Sequence, residues 1–161
     1  MSVALRIRNE STRKRFYRSD ALTRLIDQIL IGENKRDDAE ISILFCDDVF
    51  MTSLNKQYLN KNKTTDVLSF EQDALPGQSP QMLGDIVISL ETVESNCHGE
   101  PQAMRDEVRM LVCHGTLHLL GYDHGTRDEK ARMRAKQAHY LNTSTSKAWN
   151  FGPKGDAIVH G

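Results

Sequence analysis

The sequence predicts a single layered α/β domain, with a mixed sheet of about four strands packed with about five helices. Three observations carry this. Apolar residues recur with period 2 in some short runs and at helical spacing in others. The two kinds of run interleave irregularly, with no internal repeat and no linker between them. The chain has 161 residues, the length of one domain that can bury a core without metal or disulfide staples.

The elements follow in order. Residues 3–8 alternate Val3, Leu5 and Ile7 with Arg6 and Arg8, the pattern of a half-buried strand. From Asp20 to Ile31, Leu22, Leu25, Ile26, Ile29 and Leu30 fall at helical spacing, and Gly32 ends the run. Glu40 to Cys46 is a strand with Ile41, Ile43 and Phe45 on one face and Leu44 and Cys46 on the other. Asp47 or Asp48 can cap the next helix, which carries Met51, Leu54 and Tyr58. Asn55 on that helix either binds substrate or caps its helix region. A polar loop at 60–65 leads into a short strand, Asp66 to Phe70. Residues 71–83, with Pro76, Gly77 and Pro80, read as loop.

Gly84 to Ser89 is a strand, and Ser89 can cap a helix running to about His98. Pro101 suits the start of a helix that stops at Gly121. A last helix, about Asp128 to Leu141, offers Met133, Ala135, Ala138 and Leu141 for packing. Residues 143–161 are expected to form a flexible tail behind a domain at 1–142.

Charge and cysteine content narrow the function. The net charge is −1, so the whole chain exerts no strong pull on a polyanion or a membrane. Residues 1–36 carry nine Lys/Arg against four Asp/Glu, residues 37–107 four against fourteen, and residues 108–161 eight against four. Basic ends flank an acidic middle. These charges are either solvated helix surface or, where the ends meet, a face for a polyanion. No apolar run reaches the roughly 18 residues of a membrane helix, and MSVALRIRNESTRKRF places charges where a signal peptide needs its apolar block. Cys46, Cys97 and Cys113 are an odd set without CxxC, so reduced thiols and a cytoplasmic location are expected.

The chemistry concentrates in residues 114–124, HGTLHLLGYDH. His114 and His118, four apart on a helix, sit about 40° apart in azimuth and about 6 Å along the axis, so both imidazoles can reach one ion. Gly121 can turn the chain sharply and bring His124 back to them. Three neutral imidazoles and one open position make a catalytic zinc geometry, with one zinc per chain. His98, His139 and His160 have no such partners and read as structural or surface residues. Cys113 points about 100° away from His114 and reads as a small buried residue.

The same histidine spacing occurs in metzincin proteases, where a glutamate general base follows the first His. Here that residue is Gly115, which argues against a peptidase. Asp123 and Glu107 are the nearest acids in sequence and are candidates for assisting a ligand.

With these residues in hand, the sequence resembles the YbeY family, zinc-dependent bacterial endoribonucleases linked to ribosomal RNA maturation. Residues 114–124 match its His-Gly-x-Leu-His-Leu-x-Gly-Tyr-Asp-His run. Two further blocks match: Leu54-Asn55 through Tyr58 followed by Lys63 to Phe70, and Gly84 to Ser89, so the resemblance spans about residues 40–140. It implies an α+β fold, a zinc held by His114, His118 and His124, and action on single-stranded RNA, with rRNA the expected substrate and ribosomal proteins possible partners. One position departs: Leu59 stands where many members carry an Arg thought to help with the phosphate.

Metal-assisted phosphodiester hydrolysis is the expected mechanism. The attacking group is a zinc-bound water, and no side chain is assigned as catalytic. Lys61 or Lys63 would offset phosphate charge in place of the missing Arg. Asp85 either orients a ligand or bonds local backbone. Two alternatives stay open: a metallopeptidase-like hydrolase, and a noncatalytic assembly factor with a structural zinc.

Overall fold

The computed structural model describes residues 4–13, 16–35, 39–72, 81–149 and 156–159. Val3, the middle of the 71–83 loop and His160 lie outside the described residues. The chain order is β1 (Ala4–Asn9), α1 (Ser19–Gly32), β2 (Ala39–Cys46), α2 (Asp48–Leu59), β3 (Val67–Glu71), β4 (Gln81–Ser89), α3 (Leu90–Asn96), α4 (Pro101–Leu119), α5 (Arg127–Leu141), α6 (Thr145–Ala148) and β5 (Asp156–Val159).

The strands form one mixed sheet in the order β1-β2-β4-β3-β5. The β1–β2, β2–β4 and β3–β5 pairs are parallel and β3–β4 is antiparallel. The result is a single-domain α+β fold, with one more strand and one more helix than the sequence suggests. Both additions come from the segment expected to be a flexible tail. Four-residue α6 is capped by the Ser144 side chain, and β5 adds to the free edge of β3.

Alternation along the strands divides the core in two. Ile41, Ile43, Phe45, Ile86 and Ile88 are all 0% exposed and join α1 and α4 in the main core. Cys46, Leu68 and Val87 face the other way and pack with Met51 of α2 in a smaller cluster. Burying five aliphatic side chains of α1, at about 1.5–3 kcal/mol each, anchors that helix far more strongly than its propensity does.

Local signals set the boundaries. Ser89 Oγ accepts from Thr92 N at 3.3 Å, and Pro101 opens α4. Thr126 and Glu129 form a reciprocal capping box that starts α5 one residue before the expected Asp128. Neither aspartate caps α2 through its side chain. Asp47 instead binds Ser11 and Thr12, and Asp48 accepts from Thr64 and Ser89 at 3.0 and 2.7 Å.

Candidate metal centre

The histidine cluster forms at the C-terminal end of α4. His114 and His118 are 0% and 1% exposed and lie one turn apart. The helix ends at Leu119, Gly121 takes a φ of +101°, and the turn returns His124 to the other two. The ligand atoms of the three side chains lie within 4.8 Å of one another.

Two neighbours fix the imidazoles. His118 Nδ1 lies 2.8 Å from the Tyr122 carbonyl oxygen, which can only accept, so Nδ1 carries the hydrogen. Gln137 Nε2 donates to the Ala148 carbonyl at 2.6 Å, which turns Gln137 Oε1 toward His114 Nδ1, also at 2.6 Å. His114 Nδ1 therefore donates as well. In neutral rings both Nε2 atoms then carry lone pairs, and they face each other at 2.9 Å. Two acceptors at that distance need a shared proton or a cation between them. The donor set, its burial and its supporting hydrogen bonds all fit a metal ion.

Further residues complete the walls. Trp149 meets His114 and His124 edge-on, with ring centroids 5.1 and 5.3 Å apart. Behind Tyr122, Glu33 Oε1 accepts from its Oη at 2.6 Å, and Glu33 also binds Tyr140 and Lys136. Burial pushes the Glu33 carboxyl up, but these hydrogen bonds outweigh it and hold the group below the usual glutamate range. Tyr122 is thus held by its hydroxyl while its carbonyl orients His118.

The other sequence candidates lie elsewhere. Asp85 precedes Ile86, which faces α4, so strand alternation directs Asp85 to the opposite side of the sheet. There its carboxylate accepts from Gln72 at 3.2 Å. Lys61 and Lys63 are exposed on the loop entering β3, where Val67 pairs with Ile88. The end of α4 packs instead by Gly84, at the far end of β4, and no hydrogen bond or ion pair among the described residues joins either lysine to the histidines.

Asn55 is buried and donates to the Lys63 carbonyl at 2.9 Å, so it braces this loop. Leu59 is half-buried and packs with Leu44, Leu54 and Phe70 on the small core cluster. Asp123 accepts from the backbone N–H of His124 at 2.7 Å as a turn residue. Glu107 lies in a separate groove beside Cys97, and burial pushes its carboxyl up to about 7. Cys113 is fully buried, and burial pushes its thiol up to about 12.

Gly115 packs directly on the sheet. A Cβ there would stand 3.0 Å from Ile86 Cδ1 and Cγ2. The position that holds the protease glutamate in metzincins therefore points into the core here. Sequence reasoning missed Gln137, Trp149 and Glu33. The one available signal was Gln137, a polar residue four after Met133 and four before Leu141 on the inward stripe of α5.

Residues 6–145 match the family model described as Endoribonuclease YbeY. An Endoribonuclease YbeY of Pelotomaculum thermopropionicum is 40% identical over 124 residues, covering 74% of this chain and 82% of that protein. Another, from Nautilia profundicola, is 44% identical over 108 residues, covering 67% and 74%. A solution structure from Thermotoga maritima shares the fold, with a TM-score of 0.59 at 24% identity, covering 90% of this chain and 89% of that one. By the extent of these matches, the chain belongs to the YbeY family.

Proposed function

We propose that this chain is a zinc-dependent, single-strand-specific endoribonuclease that acts in ribosomal RNA maturation and ribosome biogenesis. The observation that carries the reading is the pair of buried imidazoles whose Nδ1 atoms are both committed to fixed acceptors. Their Nε2 atoms are thereby aimed at one point beside His124. Membership of a family named for endoribonuclease activity makes the chain a hydrolytic nuclease and supplies the substrate class.

His114, His118 and His124 would hold the zinc, which when bound acidifies water and polarises a phosphoryl oxygen. The chain's own groups prepare that chemistry. Gln137 and the Tyr122 carbonyl fix the tautomer and orientation of both imidazoles. Trp149 shields one side of the cluster from water. Lys61 and Lys63 are exposed cations without ion-pair partners among the described residues, and they suit phosphates farther along a bound strand. The peptidase reading loses its footing because Gly115 faces Ile86.

The test is a chelation series on pure protein with single-stranded RNA, and casein alongside. RNA cleavage that stops on chelation and returns with zinc, with casein intact, supports the proposal. Zinc-dependent casein cleavage with intact RNA contradicts it. Ribosomal RNA as the natural substrate predicts that cells depleted of the protein accumulate unprocessed rRNA precursors.

A further inference from the structure

The segment after α5 reads from sequence as a polar tail, yet it carries the chain's single tryptophan. The structure seats that residue against the histidines. Trp149 stands nearly perpendicular to His114 and His124, at 78° and 86°. It is half-buried rather than fully enclosed.

Its backbone is anchored from α5. Gln137 donates to the carbonyl of Ala148, the residue before it, and Arg134 Nε donates to the Thr145 carbonyl at 2.6 Å. The ring is thus held in place, and ordering it on binding costs little entropy. Lys130 Nζ lies 5.7 Å from the centre of the Trp149 ring and makes no ion pair among the described residues. Lys130 belongs to α5, whose sequence RDEKARMRAKQAHYL holds five Lys/Arg against two acids.

An aromatic platform, a cation over its ring and an adjacent hydrolytic centre are the parts of a single-stranded nucleic-acid site. We propose that Trp149 is the stacking platform for a nucleobase next to the scissile phosphate, and that Lys130 takes a neighbouring phosphate. This deepens the endoribonuclease reading and rests on it.

In the free protein Lys130 rests over the ring. An exposed cation–π contact is weaker than base–aromatic stacking, so an incoming base displaces the ammonium toward the backbone. Stacking on an indole requires a base released from its own helix. The platform therefore selects single strands by geometry, and it tolerates sequence because every base has a π-face.

The single tryptophan makes the test direct. Zinc-loaded protein is titrated with a short 2′-O-methyl oligoribonucleotide and with the same backbone lacking bases, and tryptophan emission is followed. The base-containing strand should quench Trp149 and the abasic strand should not. With a labelled strand, Trp149→Leu should weaken binding about 5- to 150-fold, and Trp149→Phe should recover much of the loss. Lys130→Ala should lower the salt slope of binding by about 0.7. Zinc content is measured in each variant. Should Trp149→Leu shed its zinc, the abasic comparison on wild-type protein decides alone.

Unchanged emission at saturation, or equal quenching by the abasic strand, overturns the platform. So does Trp149→Leu with full zinc and wild-type affinity. If wild-type protein cuts RNA while Trp149→Leu binds and cuts equally, only the platform falls. If wild-type protein neither binds nor cuts RNA, the functional reading falls with it.

Discussion

Replacing Gln137 with leucine tests how the centre is held. Gln137 is 0% exposed, and its amide makes two 2.6 Å hydrogen bonds, accepting from His114 Nδ1 and donating to the Ala148 carbonyl. Leucine is of similar size, so the change removes polarity with little loss of volume. It leaves a buried carbonyl unpaired, which costs about 1–3 kcal/mol. It also removes the acceptor that fixes the tautomer and orientation of His114, a loss typically worth about 10–100-fold in metal affinity.

Gln137→Glu separates the two effects. A carboxylate still accepts from His114, and more strongly, but it faces the Ala148 carbonyl with no proton to donate. Zinc affinity should then stay within a few-fold of wild type while stability falls. Chelator-competition titration gives the affinities and urea denaturation the stabilities. If Gln137→Leu holds zinc as tightly as wild type, the hydrogen bond to Gln137 does not position the ligand and the reasoning fails.

Gly115→Glu should not create a peptidase. Its side chain would be forced against Ile86, which is 0% exposed, and should destabilise the fold by about 3 kcal/mol or more, read by thermal or chemical melting. Glu107, pushed up to about 7 chiefly by burial, keeps its proton longer when folded than when unfolded. Its contribution is full at low pH and is lost as pH rises from about 4.5 through 7. Glu107→Gln should therefore gain up to about 3 kcal/mol relative to wild type above pH 7, measured by urea melts across pH. Glu33 has the opposite sign. Its lowered folded value gives stability that is present above the ordinary glutamate range and lost as acid protonates it, so Glu33→Gln should flatten the stability curve below about pH 4.5.

Local periodicity made most of the fold legible. The alternation in Glu40 to Cys46 and the spacing of Leu22, Leu25, Ile26, Ile29 and Leu30 predict β2 and α1 to within a residue or so. The clustering of His114, His118 and His124 was legible because an i, i+4 pair and a glycine turn are local geometry. What sequence could not give depends on contacts between distant residues. Gln137 reaches His114 across 23 positions, and Tyr140 reaches Glu33 across 107.

Strand β5 has four residues and exists through pairing with β3, a partner its own composition cannot announce. Trp149 sits in a polar stretch whose local propensity is loop, and tertiary bonds from Arg134 and Gln137 override that propensity. Leu59 shows the limit of motif reasoning. It departs from the family's cationic position, yet the physics visible here is packing against Leu54 and Phe70.

Elemental analysis of purified protein beside its single-histidine variants tests the central claim most directly. Three imidazoles converge on one point, so wild-type protein should carry about one zinc per chain. His114→Ala, His118→Ala and His124→Ala should each lose most of the metal, with a loss of stability larger than that of His98→Ala or His139→Ala. Full zinc in any of the three variants, or none in wild type after expression with adequate zinc, would contradict the assignment of this centre.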